Sequence, residues 1–69
     1  MKFRDFIAII ERHGFVLDRQ RGSHRTYKGH VGGKPRVVTV AAHGEGSDIR
    51  PGTLASMIRQ SGLHKDEFR

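Results

Sequence analysis

The chain has 69 residues, 7.8 kDa of mass and no cysteine, so disulfide staples and thiolate chemistry are excluded and a small apolar core must stabilise the fold. Hydrophobic residues make up 35% of it, enough for a folded domain, while the first apolar stretch is broken by Arg4 and Asp5 and suits neither a signal segment nor a membrane span. Thirteen Lys and Arg against seven Asp and Glu leave a formal charge of +6, and between Arg19 and Glu45 no carboxylate interrupts Arg19, Arg21, Arg25, Lys28, Lys34 and Arg36, which makes phosphate backbones the first class of partner to consider.

In chain order, Phe3, Phe6, Ile7 and Ile10 fall at the i, i+3, i+4, i+7 spacing of a helical face. That helix, over residues 3 to 13, should stop at Gly14, with Phe15 folding back on Ile10 in a Schellman closure. Three strand-like runs follow, Phe15 to Gln20, His24 to His30 and Arg36 to Ala41, separated by Arg21-Gly22-Ser23 and by the Gly32-Gly33-Lys34-Pro35 cluster. Consecutive strands should pair as antiparallel hairpins. Residues 42 to 50 read as a loop. A second helix is expected over 51 to 61, starting at Pro51 without a good side-chain cap, carrying Leu54, Met57 and Ile58, and ending at Gly62-Leu63 as the first ends at Gly14-Phe15. Residues 64 to 69 read as a frayed tail.

The order α-β-β-β-α predicts an α+β fold, one domain over residues 1–69, with both helices on one face of a three-stranded antiparallel sheet and the other face open. Alternation along the second strand then puts His24, Thr26 and Lys28 on one side and Arg25 and Tyr27 on the other, with Tyr27 the natural core residue.

Most chemistries fail on spacing. The acids Asp5, Glu11, Asp18, Glu45, Asp48, Asp66 and Glu67 are scattered and build no two-metal centre. His24 and His30 share a strand face but are separated by about 20 Å, too far for one zinc ion. Gly22-Ser23 lacks the glycines, lysine and following helix of a phosphate loop. A Ser23 nucleophile beside His24 is awkward, since neighbours in a strand point to opposite faces. An exposed histidine among arginines and lysines remains, and RNA makes that sufficient because its 2′-hydroxyl is a built-in nucleophile. Imidazole can move the proton while cations stabilise the phosphoryl charge. His13, His30 and His64 read as ordinary surface residues, and His43, just after the third strand, as an intermediate candidate.

Arg21-Gly22-Ser23-His24, opening a strand after a helix and a Gly14-Phe15 stop, resembles the signature of the HicA (YcfA-like) toxins. Val38-Thr39-Val40 with His43, Asp48-Ile49-Arg50, Gly52-Thr53-Leu54 and Ile58-Arg59-Gln60-Ser61-Gly62-Leu63 extend the similarity over roughly residues 3 to 63. Ala41-Ala42 stand where many members have a proline, and the glycine-rich Gly44-Glu45-Gly46 stretch follows in the adjoining loop. The resemblance implies a fold like that of double-stranded-RNA-binding domains and a cytoplasmic mRNA interferase whose essential residue is the Gly-Ser-His histidine, here His24. It also implies a HicB antitoxin that blocks that histidine. The combined expectation is a metal-independent endoribonuclease with no cofactor and no membrane partner. His24 is its catalytic residue, His43 an auxiliary candidate, and Arg19, Arg21, Ser23, Arg25, Lys28 and Arg36 contact RNA. Two readings compete with it: a non-catalytic RNA-binding module of the same fold, and a protein-interaction domain whose basic face meets an acidic partner.

Overall fold

The apolar stripe of residues 3 to 10 does form a helix. In a computed structural model that describes residues 1–41, 44 and 46–69, α1 spans Phe3–Arg12 and buries Phe3, Phe6, Ile7, Ile9 and Ile10. Its end follows the Schellman pattern: Gly14 takes a φ of 89°, and the Phe15 N–H donates to the Ile10 carbonyl at 3.1 Å. Phe15 is thereby turned inward against Gly29, where a Cβ would stand 2.8 Å from the ring. A glycine in mid-strand here makes room for an aromatic.

The strands are β1 (Val16–Arg21), β2 (His24–Val31) and β3 (Lys34–Ala41), antiparallel in the order β1-β2-β3. Both hairpins are tighter than the sequence suggests. Gly22-Ser23 alone joins β1 to β2, with Gly22 at φ 56°, and Gly32-Gly33 alone joins β2 to β3, at φ 62° and 76°. Lys34 and Pro35, expected in the turn, belong instead to β3. Proline is tolerated there because β3 is an edge strand, which need not use every N–H in the ladder.

The second helix, α2, spans Pro51–Ser61, starts without a side-chain cap and is followed by Gly62 at φ 71°. Its closure differs from that of α1. The buried Ser61 hydroxyl donates to the Ile58 carbonyl at 2.6 Å and accepts the Leu63 N–H at 3.1 Å, so a side chain relays the connection that backbone makes at Gly14-Phe15. Further along α2, Gln60 Oε1 accepts the Thr39 N–H at 3.0 Å and covers part of the β3 edge.

One apolar cluster joins the helices to a single sheet face: Phe6 and Ile10 of α1, Met57 of α2, and Tyr27, Val38 and Val40 of the sheet. Before α2, Ile49 is buried and the chain is pinned to the N-terminus by Ile49 N–H to Met1 O and Phe3 N–H to Ser47 O. The tail is not frayed. Residues Lys65–Phe68 form a 3-10 turn whose start is capped by His64, and the Phe68 ring stacks on Phe6 at 4.9 Å between centroids. A lone aromatic in a charged segment is drawn to an uncovered patch of α1. Among the described residues no helix is long and apolar enough to cross a membrane.

Phe68→Ala should therefore destabilise the protein by about 3 kcal/mol, read as a lower urea midpoint, whereas Lys65→Ala in the same turn should shift the midpoint little.

Candidate functional site

The helix-covered face of β2 takes Tyr27 and Gly29, both buried, so His24, Thr26 and Lys28 are left on the open face. What stands beside them depends on β1. Its pairing runs Val16 to Lys28 and Leu17 to Tyr27, then resumes with Arg19 to Thr26, Gln20 to Arg25 and Arg21 to His24. Asp18 is the extra residue of a bulge. In an unbroken ladder the face shown by Val16 would pass to Asp18 and Gln20; the extra residue passes it to Arg19 and Arg21.

Arg19, Arg21, His24 and Thr26 consequently line one open depression of about 300 Å³. Neither arginine has an ion-pair partner among the described residues, and the His24 side chain is exposed with no hydrogen bond to another described residue. Two unpaired guanidiniums, an imidazole and a hydroxyl on one shallow surface can hold a phosphodiester and move a proton beside it.

The other expected contact residues divide. Lys28 lies on the same face two residues further along, where its ammonium meets the Asp18 carboxylate at 3.3 Å. Ser23 is partly buried in the hairpin turn, not in a strand, and does not line the depression. Arg25 and Arg36 do not join the group: both alternate onto the face carrying Tyr27 and Val38, and Arg36 packs against Gly62 at the end of α2, with its Nε buried. Arg25 takes the side that strand alternation predicts for it, and the same parity along β3 removes Arg36. His43 lies outside the described residues. Thr26 is the member that charge and motif reasoning passed over, although its position two residues after His24 in a strand was signal enough. Among the described residues no three His, Asp or Glu side chains converge as metal ligands would.

The family model described as the HicA toxin of bacterial toxin-antitoxin matches residues 3–63. The chain belongs to the HicA toxin family. The matched segment contains all three strands, both α-helices and every residue of the depression, and leaves the C-terminal 3-10 turn outside. As a member of a toxin-antitoxin family the chain has an antitoxin for a partner. No curated protein matches it.

Because the His24 ring packs against nothing in the core, His24→Ala should change folding stability by less than about 0.5 kcal/mol, measured as the shift in urea unfolding free energy.

Proposed function

We propose that this toxin is an endoribonuclease that cuts mRNA in the cytoplasm without a metal ion, with His24 as its catalytic residue. The observation that carries the reading is the convergence of Arg19, Arg21, His24 and Thr26 on one depression through the Asp18 bulge. The guanidiniums hold the two non-bridging oxygens of a phosphodiester and oppose the charge that builds on phosphorus. The adjacent 2′-hydroxyl attacks, the P–O5′ bond breaks, and the imidazole moves a proton, as base toward the 2′-hydroxyl or as acid toward the departing 5′-oxygen. The products are a 2′,3′-cyclic phosphate and a 5′-hydroxyl. Guanidinium, imidazole and hydroxyl groups supply this chemistry unaided, and the guanidiniums would repel a divalent cation.

The partner of this reading is a HicB-like antitoxin that lays acidic groups over the depression, so that association slows as salt is raised. Occlusion of His24 is then the means of inhibition.

Wild-type protein incubated with RNA in excess EDTA should retain full activity, leave cyclic phosphate ends, and spare RNA carrying a 2′-methoxy group at the cut site. His24→Ala should lose about 10² to 10⁴ in rate while binding RNA as before. A folded His24→Ala protein that cleaves at the wild-type rate removes His24 from the mechanism, and wild-type protein that binds RNA without cutting it supports a binding module instead. In the same assays Arg21→Ala should weaken binding on all RNA sequences alike and flatten the dependence of log affinity on log salt by about one unit.

A further inference from the structure

Beyond the depression, the open face continues into a row of different chemistry. Val16 and Val37 stand directly across from Lys28 on its two sides, so all three share the face of His24. The valines are 63% and 48% exposed, unusual for β-branched residues in a sheet that buries Val38 and Val40 completely. Lys28 contributes little net charge to this row, because Asp18 neutralises it at 3.3 Å. A phosphate would gain little here. Apolar surface on either side of a paired ammonium and carboxylate suits instead a flat, neutral ring with donors and acceptors at its edge.

We propose that the Val16-Lys28-Val37 row is a nucleobase subsite for single-stranded RNA, taking the base of a nucleotide next to the phosphate held by Arg19 and Arg21. The inference rests on the nuclease reading above and adds to it the strandedness of the substrate. Two strand residues separate this row from the Arg19-Thr26 row, a step of about 7 Å, roughly one extended nucleotide. The base rests on the two valines, and the Lys28 ammonium and Asp18 carboxylate meet its polar edge. Base faces are available only when the strand is unpaired, since a duplex stacks them away, and an open sheet is a surface on which splayed bases lie. Charge complementarity favours RNA as the occupant, because the row adjoins two arginines with no ion-pair partner among the described residues. A second copy laid face to face would bring those arginines against their own kind. The apolar area is that of two valines, far short of the ~800 Å² per partner of a standard protein interface.

The test uses a single-stranded RNA oligonucleotide with 2′-methoxy groups throughout, which cannot be cut, and the same sugar-phosphate backbone without bases, both followed by fluorescence anisotropy. Wild-type protein should bind the base-bearing strand on the order of tenfold tighter. The Val16→Thr/Val37→Thr variant keeps β-branched shape and strand propensity; it should lose most of that preference, bind the base-free backbone as wild type does, and show an unchanged salt slope. Val37→Tyr should widen the preference. A preference that survives in the threonine variant, or an equal loss on both strands, overturns the subsite. Threonine variants that bind both RNAs normally but escape the antitoxin on co-expression also overturn it and assign the row to the protein partner. Wild-type protein that shows the base preference but never cuts natural RNA sinks the nuclease reading and leaves the subsite standing; binding to neither strand sinks both.

Discussion

Parity along β1 is the constraint on which the site depends. At one end of the strand, the Schellman closure turns Phe15 inward against Gly29, and strict alternation from there would send Leu17, Arg19 and Arg21 toward the helices. At the other end the two-residue turn locks Arg21 opposite His24, which faces outward because Tyr27 and Gly29 must face in. The two ends demand opposite parities. One extra residue at Asp18 reconciles them, and the same bulge that lets Phe15 enter the core puts two arginines beside a histidine.

That arrangement separates stability from function. The apolar cluster lies wholly on the helix side of the sheet, formed by Phe6, Ile10, Phe15, Tyr27, Val38, Val40 and Met57. Arg19, Arg21 and His24 stand on the other side, exposed, where they do not add to the core. A domain this small cannot give up much apolar burial to host a binding surface. Placing the polar groups on alternate positions of strands whose other positions are already committed to the core uses both sides of the same backbone.

The elements were legible because their signals are local. A four-residue apolar stripe, a glycine after it, a proline at the start of α2 and two glycine-bearing turns each act within a few residues; the helices start where expected, and the turns fall on the expected glycines though with fewer residues in each. The face of His24 could also be read, since β2 has no irregularity between His24 and Val31. Its β2 neighbour Thr26 follows from the same alternation, but the turn of Arg19 and Arg21 onto that face does not. The bulge carries no glycine or proline to announce it; it arises from a conflict between two anchors far apart in structure. Arg36 illustrates the opposite case: a run of like charge along the chain is not one surface, because successive residues of a strand point to opposite faces. The fold of residues 64 to 69 rests on Phe68 finding Phe6, a contact across most of the chain that no local pattern encodes.

The two margins of the sheet are protected by different means. On β3 the Thr39 N–H is occupied by Gln60 of α2, and the strand also contains Pro35. On β1 the bulge and the projecting arginines break up what would otherwise be a straight row of free amides and carbonyls. An unmodified outer strand is a template on which further strands can grow into fibrils. The irregularity that orients the arginines therefore also makes this edge a poorer template for strand addition.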